Sequence, residues 1–413
     1  MIHSLKVKNF YSFREEQEFS LSGTKSTADD QRFMTTSSGK NVAKVAMIYG
    51  ANASGKSNLL KAFSFLFWFL MHSWKSLEQE QEIPFSPFAF TNEPKEPTTF
   101  ELVTECKDGT SYIYNLELTT NKILYESLRE RKKGDVRFSL MFIREEENYK
   151  IYPRANFSLK DIPNKALRNN ASFVSTIRQT NISSFDDFIQ SIFYLVEIDG
   201  LNKTEFQDSQ STFKILLNNT IVKDFVEEKL CQIDLGIAGI DIEQKELLDD
   251  FTKEYSKLLT PFFKYIGEEF PQNRYDVYVH HSVGGQDFKL ALYQESKGTQ
   301  KAIPLLTKIF LTLNTGGILV YDEIEFSLHP LLIQSLLDLF YDEDTNPLGA
   351  QLICTCHSTD CMSHLHKRQI FLTEKDENQE SSLIRLSDMI GVRNDDNFMQ
   401  KYLSGAYGGV PCL

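Results

Sequence analysis

The chain has 413 residues, which is enough for two compact units rather than one ordinary core. Hydrophobic residues make up 41% of the chain and charged residues 24%, a profile typical of a soluble globular protein. The formal net charge of -13 argues against a dedicated nucleic-acid binder, which usually carries a basic excess, although it leaves room for a local basic groove.

The cysteine content and the apolar stretches both predict a cytoplasmic protein without a membrane anchor. Six cysteines in a chain of this length are too sparse for a disulfide scaffold, so we expect reduced thiols. The first residues lack the apolar core of a signal peptide. The most apolar stretch, residues 65–71, is far shorter than the roughly 18 residues of a membrane span. We therefore expect a buried helix there.

In chain order, the first elements are strands. Residues 1–20 alternate between apolar and polar, as in a half-buried sheet. A short apolar strand at 42–48 then leads into a glycine-rich loop, and a helix follows. Residues 81–153 alternate again and contain turn signals such as Asp108-Gly109, which predicts a largely antiparallel sheet.

The chain changes character near Pro153. From there to about Pro261 we predict helices, because apolar residues in 185–193 have helical spacing and an acidic run covers 243–254. Strands return at 275–281 and 288–292, and the final third alternates strand and helix, as in a sheet covered by helices. We therefore predict one α/β domain, formed by 1–153 and 265–413, that a helical insertion at 154–264 interrupts.

The glycine-rich loop fits the phosphate-loop pattern G-x-x-x-x-G-K-[ST] through Gly50, Gly55, Lys56 and Ser57. Glycines let backbone N–H groups point at phosphates, and the following helix N-terminus adds partial positive charge. We expect Lys56 to reach the β- and γ-phosphates and Ser57 to bind magnesium. A chance match in a turn is the alternative, but the strand before and the helix after disfavour it. The predicted ATP-binding segment also includes Asn52, Ser54 and Asn58.

A pair of carboxylates follows the apolar strand at 317–321, the arrangement of a Walker B motif. Asp322 is the candidate magnesium ligand, partly through water, and Glu323 is the candidate general base. Adjacent residues on a strand face opposite ways, so both must lie at the strand end to serve one site. A solvated acidic turn is the alternative reading, and the neighbouring phosphate loop disfavours it.

Two further segments are weak indications of an ATP site when each is taken alone. Their order along the chain, relative to the phosphate loop and the carboxylate pair, strengthens them. Ser296, Gly298 and Thr299 begin a predicted helix, where small residues can donate N–H groups and a hydroxyl to an anion. His357 follows the strand at 351–356 and could contact the γ-phosphate. Taken singly, Ser296 is explained as a helix cap and His357 as a histidine at a strand end.

A cysteine- and histidine-rich segment suggests zinc at first sight, because such side chains are common zinc ligands. Two of the cysteines lie inside an apolar strand, however, which explains them as small core residues and disfavours a metal site. The segment comprises Cys354, Cys356, His357, Cys361, His364 and His366.

Taken in this order, the motifs resemble the SMC/RecF branch of ABC ATPases. Within it, the chain is similar to the AAA-type ATPases of prokaryotic anti-phage systems, the group of RloA, AbiL and AriA. The likeness covers roughly residues 1–130 and 265–413. It rests on the segments 5–13, 50–52, 296–299, 322–330 and 402–411.

The resemblance implies an ABC-type P-loop ATPase head with a mixed sheet and an antiparallel subdomain, which uses ATP and Mg²⁺. It also implies a homo-oligomer with ATP sites between subunits, where Ser296, Gly298 and Thr299 complete the neighbour's site and His357 acts with Glu323. The implied role is a sensor or scaffold in abortive infection. That scaffold would control a separate effector, such as a TOPRIM or RloB-like nuclease, with a phage-derived trigger.

Two positions depart from the family pattern. Tyr11 stands where many SMC/RecF relatives carry an arginine, which affects the expected contacts on the adenine side. The glutamine loop has no clear match: Gln79 and Gln81 are nearby, but their flanking residues differ from the motif.

Two other functions compete with the defence ATPase. A RecF-like DNA-repair ATPase would bind DNA directly, and the acidic total argues against it. A self-contained nuclease of the overcoming-lysogenization-defect type would need a TOPRIM domain after the ATPase. We expect none, because only about 55 residues follow His357.

Overall fold

The computed structural model describes residues 1–91, 96–163, 166–198, 205–233, 237–246, 273–325 and 328–410. Within these ranges, no helix is long and apolar enough to cross a lipid bilayer. The segment at 65–71 lies inside a long helix and is largely buried, as the sequence predicts.

The described residues form strands and helices in alternating groups. The strands are β1 (Ile2–Lys8), β2 (Gln17–Ser20), β3 (Phe33–Thr35), β4 (Asn41–Ala43), β5 (Val45–Gly50), β6 (Thr98–Glu105), β7 (Ser111–Leu118), β8 (Ile123–Arg131), β9 (Ser139–Glu145), β10 (Asn148–Ile151), β11 (Tyr194–Glu197), β12 (Ile237–Glu246), β13 (Asn273–Val283), β14 (Gln286–Ala291), β15 (Ile318–Tyr321), β16 (Gln351–Thr355), β17 (Ile370–Lys375) and β18 (Ser381–Arg385). The helices are α1 (Lys56–Ser76), α2 (Phe173–Ile177), α3 (Asp186–Ser191), α4 (Glu205–Asn218), α5 (Thr220–Ile233), α6 (Lys297–Thr315), α7 (Pro330–Tyr341) and α8 (Phe398–Leu403).

By its internal packing, the chain divides into two compact units. The first unit comprises Met1–Ile198, Thr312–Glu325 and Ile333–Leu413, and the second comprises Asp199–Leu311 and Phe326–Leu332. Each unit is therefore assembled from separate stretches of the sequence.

The first unit contains a seven-stranded antiparallel sheet in the order β10-β9-β8-β7-β6-β1-β2. Its strands alternate between buried apolar and more exposed polar residues, because one face packs on the core. Opposite pairs such as Phe100 and Leu116 lie on the buried face. This confirms the antiparallel sheet that the alternation predicts.

A buried ion pair lies within this sheet. Glu126 on β8 accepts hydrogen bonds from the Tyr114 hydroxyl at 2.9 Å and from the Ser172 hydroxyl at 2.8 Å. The Phe173 N–H donates to both of its carboxylate oxygens, and Arg144 lies 3.5 Å away. Such full pairing is what a buried charge requires.

The second sheet of the first unit has the order β11-β15-β16-β5-β17-β18, and every pair except β17 and β18 is parallel. All residues of β5, β15 and β16 are buried, as in a parallel sheet covered on both faces. Helix α1 packs against these three strands. The carboxyl ends of the parallel strands consequently meet at one edge of the sheet.

The second unit combines helices with a three-stranded antiparallel sheet, β12-β13-β14. Strand β13 contains the strand predicted at 275–281, and β14 covers residues 288–291 of the strand predicted at 288–292, which confirms both strands. The prediction of helix is wrong at Ile237–Glu246, which forms β12. There Ile240 and Ile242 pair with Val279 and Val277, a period of two that the acidic residues between them obscure.

The two units also differ in extent from the segments predicted from the sequence. Residues 154–198 belong to the first unit because β11 pairs in parallel with β15 of the central sheet. Residues 273–311 belong to the second, since β13 and β14 continue the sheet that β12 begins. Positions 247–254, the end of the acidic run, lie outside the described residues, as does Pro261.

Candidate nucleotide-binding site

The phosphate-loop pattern joins the carboxyl end of β5 to the first turn of α1, which begins at Lys56. The loop turns tightly, and Gly55 has a φ of 116°, a left-handed conformation that favours glycine. Gly50 is needed for a different reason. A Cβ atom there would lie 2.4 Å from the backbone oxygen of Thr373, so any side chain would clash with β17.

Lys56 is buried and folds back onto the loop that precedes it. Its Nζ donates to the backbone oxygens of Gly50 at 2.9 Å and Ala51 at 3.0 Å. Burial lowers the pKa of Lys56, while the charges of Asp322 and Glu323 oppose that effect. The ammonium group thus lies in the field of the carboxylates that follow β15.

Hydroxyl groups from distant strands hold the phosphate loop in place. Ser54 and Thr373 of β17 join their hydroxyls at 2.6 Å. The Ser381 hydroxyl of β18 donates to the backbone oxygen of Ser54 at 2.7 Å, and its oxygen lies 2.8 Å from the hydroxyl oxygen of Ser12. Asn58 also donates to Ser12, at 2.8 Å. No local motif marks Ser12, Thr373 or Ser381 in the sequence, so their contacts with the phosphate loop were not predicted.

The two carboxylates follow β15 directly, at the strand end. The Asp322 carboxylate accepts a hydrogen bond from the Thr355 hydroxyl at 2.5 Å, and that hydroxyl accepts the Glu323 N–H at 2.7 Å. Glu323 has a φ of 51°, which is uncommon for a residue other than glycine. This turn out of the extended conformation lets two successive carboxylates serve one site. Thr355 is a further residue that the sequence analysis missed.

His357 lies two residues after the end of β16, between the strands that lead to the loop and to the carboxylates. Its Nε2 is 3.7 Å from a carboxylate oxygen of Glu323, and its imidazole is exposed. Its backbone N–H donates to the carboxylate of Glu325. The structure therefore brings together the phosphate loop, Asp322, Glu323 and His357 at one edge of the central sheet.

Ser296, Gly298 and Thr299 belong to the second unit, at the start of α6. The Ser296 hydroxyl accepts the Thr299 N–H at 3.1 Å and lies 2.9 Å from the Thr299 hydroxyl. Ser296 therefore caps its own helix, as the simpler interpretation of this segment expects. Its side chain is nevertheless exposed, and Gly298 adds no side chain to this helix start.

The remaining candidates take ordinary places in the fold. Cys354 and Cys356 are buried, at the end of β16 and just beyond it. Tyr11 has a φ of 49°, and the Lys61 ammonium lies 5.1 Å from the centre of its ring. Gln79 and Gln81 are exposed beyond the end of α1, where the structure gives neither a role in the site.

A parallel sheet that ends in a glycine-rich phosphate loop and an acidic strand end defines a P-loop nucleotide-binding fold. Residues 45–362, more than half of the chain, match the family described as "AAA domain, putative AbiEii toxin, Type IV TA system". The chain belongs to this AAA family. No curated protein matches it.

Solved structures similar to this chain include SMC head domains and a RecF recombination mediator protein. The SMC head domain from Thermotoga maritima is 14% identical, with a TM-score of 0.42 over 93% of this chain and 98% of that one. An SMC head bound to the C-winged helix domain of ScpA is 11% identical, with a TM-score of 0.44 over 93% and 96%. The recombination mediator RecF with an ATP analogue is 12% identical, with a TM-score of 0.40 over 93% and 98%.

Proposed function

We propose that this protein binds and hydrolyses ATP with the help of Mg²⁺. The observation that carries the proposal is the meeting of four groups at the carboxyl edge of the central sheet. The phosphate loop ends β5, Asp322 and Glu323 follow β15, and His357 lies 3.7 Å from Glu323. Family membership supports ATP binding in general.

The residues of the edge fit the two ligands by their chemistry. Backbone N–H groups of the loop and the first turn of α1 suit phosphate oxygens, as do the side chains of Asn52 and Ser54 within the loop and of Asn58 just after it. Phosphate binding requires Lys56 to exchange its two bonds to backbone oxygens for bonds to phosphate. The Ser57 hydroxyl and Asp322 carboxylate are oxygen ligands of the kind that Mg²⁺ prefers. The ion would stabilise charge that develops on the phosphates.

Glu323 is the residue best placed to take a proton from the attacking water. It lies directly at the strand end, and its carboxylate is partly exposed. His357 is close enough to orient that carboxylate or to contact the γ-phosphate. Catalysis would thus combine a positioned base with positive charge from Lys56.

We further propose that the active form is a homo-oligomer with ATP between two copies. Ser296, Gly298 and Thr299 of one copy would donate to the γ-phosphate bound at Lys56 of the other. The exposed Ser296 side chain at the first turn of α6 supports this arrangement. It agrees with the motif order, in which this segment precedes the Walker B strand.

The proposed biological role is a sensor or scaffold in prokaryotic anti-phage defence that holds or releases a separate effector, such as a nuclease. The family description, which names an AbiEii toxin and a type IV TA system, and the motif likeness to the RloA, AbiL and AriA group support this role. A phage-derived molecule would be the trigger.

The test is gel filtration of the tagged protein from its native host with and without ATP, together with a phosphate-release assay. We expect ATP hydrolysis, a larger species in ATP, and a co-purifying protein in stoichiometric amount. Absence of phosphate release from pure protein would refute the ATPase. A monomer under all nucleotide conditions would refute the shared site, and a co-purifying DNA instead of a protein would favour the RecF-like alternative.

A further inference from the structure

A third carboxylate, Glu325, lies beside the two predicted from the Walker B motif. Its first oxygen accepts a hydrogen bond from the backbone N–H of His357. Its second oxygen is buried and has no hydrogen-bond partner among the described residues. A carboxylate oxygen that is buried without a hydrogen bond costs free energy unless the rest of the fold compensates, so the position of Glu325 calls for an explanation.

The ends of β15 and β16 are tied together in both directions. From β16, the Thr355 hydroxyl bonds to Asp322 and Glu323, and the Thr355 backbone oxygen accepts the Ile324 N–H at 3.2 Å. From the β15 side, Glu325 returns a bond to the backbone of His357. The bonds from Thr355 end at the last residue of β16, whereas the Glu325 bond reaches His357, two residues further on.

We infer that Glu325 is a positioning residue that holds the backbone at His357, so that its imidazole stays beside Glu323. His357 lies in an irregular segment two residues past the end of β16, where its imidazole is exposed to solvent. Without the bond to Glu325, the backbone at His357 would be free to move, and the 3.7 Å contact between His357 and Glu323 would be lost. The inference rests on the proposed ATP hydrolysis, because it assigns Glu325 a part in that reaction.

The structure also indicates what Glu325 must supply. The bond to His357 needs one acceptor oxygen, which a glutamine retains and an alanine lacks. The second oxygen accepts no hydrogen bond from the described residues. The amide nitrogen of a glutamine in its place would therefore break no hydrogen bond to them. The charge of Glu325 is therefore dispensable for positioning, whereas its acceptor is required.

The kinetic test compares Glu325→Gln with Glu325→Ala. We expect Glu325→Ala to lower kcat by about tenfold to a hundredfold, as for a misplaced catalytic group, while KM changes by less than about threefold. Glu325→Gln should stay within about threefold of the wild-type kcat. Glu227→Ala is the matched control, because Glu227 likewise accepts a backbone N–H, from Ile240 at 2.6 Å, and lies in no motif. If Glu325→Gln is as inactive as Glu325→Ala, the charge acts directly and the positioning role is wrong.

A double mutant tests whether Glu325 acts through His357. Replacing His357 with alanine keeps the backbone N–H and removes the imidazole, so adding Glu325→Ala should then lower kcat no further. If the two losses multiply instead, Glu325 acts by another route and the inference fails.

A readout that needs no hydrolysis separates this inference from the proposed function. The backbone amides of the eight histidines can be labelled with ¹⁵N and His357 assigned by substitution. We expect a downfield, slowly exchanging His357 amide proton in the wild type and in Glu325→Gln, and its loss in Glu325→Ala. An amide unchanged by Glu325→Ala overturns the inference even if the protein is an ATPase. A wild type that releases no phosphate overturns the proposed function even if the amide behaves as expected.

Discussion

Two carboxylates of the first unit, the buried Glu126 and the partly buried Glu325, have hydrogen bonds to different numbers of their oxygens. Glu126 has hydrogen bonds to both oxygens and an arginine at 3.5 Å, all within the antiparallel sheet and the segment packed on it. Glu325 has one bonded oxygen and one without a partner among the described residues. The buried carboxylate of the antiparallel sheet is thus bonded through both oxygens, whereas the carboxylate beside His357 is bonded through one oxygen among the described residues.

The left-handed backbone at Glu323 is a second difference between the edge of the central sheet and the antiparallel sheet. Uncommon conformations of this kind cost free energy and persist where the surrounding structure holds them. The Thr355 hydroxyl holds Glu323 through its N–H, while no such residue is needed along the regular strands β6 to β8. Variants of the two regions test whether one serves stability and the other ATP turnover.

Glu323→Gln should produce the largest effect. The amide preserves shape but cannot take a proton, so ATP turnover should fall by about 10²- to 10⁴-fold while ATP binding remains. The variant should accumulate as the ATP-bound oligomer. Phosphate release and equilibrium binding of a fluorescent ATP analogue measure the two properties separately. Wild-type turnover would mean that another group is the base.

Glu126→Ala should act on stability and leave the site intact. It leaves Arg144 buried without its carboxylate, which should lower the free energy of unfolding by about 3–5 kcal/mol. Urea denaturation measures this change, and ATP binding is measured on the folded fraction. Glu325→Ala is the counterpart, with an expected loss of only about 1 kcal/mol, since it removes one hydrogen bond. The contrast between the two regions breaks down if Glu325→Ala is the more destabilising change.

Ser296→Arg should lower turnover by about 10²- to 10³-fold, the range for loss of a transition-state donor, with ATP binding to a single copy nearly unchanged. Mixing this variant with Lys56→Ala, which should not bind nucleotide, should restore part of the activity. One interface of a mixed dimer then pairs an intact phosphate loop with an intact Ser296. Subunit exchange is checked by pull-down of differently tagged copies. Wild-type activity in pure Ser296→Arg would exclude a shared site at this segment.

Thr373→Val should have the smallest effect. It removes the hydroxyl that bonds to Ser54 at 2.6 Å, so the phosphate loop should loosen and ATP affinity should fall by about fivefold, or about 1 kcal/mol. Thr307→Val is the control, because Thr307 is also buried and its hydroxyl bonds to Ile303 of its own helix. Isothermal titration compares the two. Equal losses of affinity would mean that the effect is general destabilisation.

The parts of the site that are contiguous in sequence were predictable from the sequence. The glycines of the phosphate loop and the pair Asp322-Glu323 satisfy steric and chemical demands within a few residues, so their pattern is legible. Thr355, Thr373 and Ser381 were missed because their partners lie far away in sequence and meet them through the strand order β15-β16-β5-β17-β18. The order of strands in the sheet decides such contacts, and local patterns in a single sequence do not reveal that order.

The fold shows the same limit. Antiparallel strands with clear alternation were predictable, and so was helix α1, with its long apolar run. Strand β12 was mistaken for helix because its polar positions, Asp241 and Glu243, merge with a longer acidic run. Its partner β13 stabilises it as a strand, which is an example of tertiary pairing overriding local composition.

The route of the chain between the two units limits how the protein can be dissected. The chain passes from one unit to the other after Ile198, Leu311, Glu325 and Leu332. Two of these passages lie inside helices, α6 and α7, and a third comes two residues after Glu323. Deletion of the second unit would therefore sever two helices and release the chain beside the proposed base. The contribution of the second unit is better measured by substituting single residues or by inserting a reporter in the turn at Gly284-Gly285. A Cβ atom on either glycine would have no neighbour within 4 Å among the described residues.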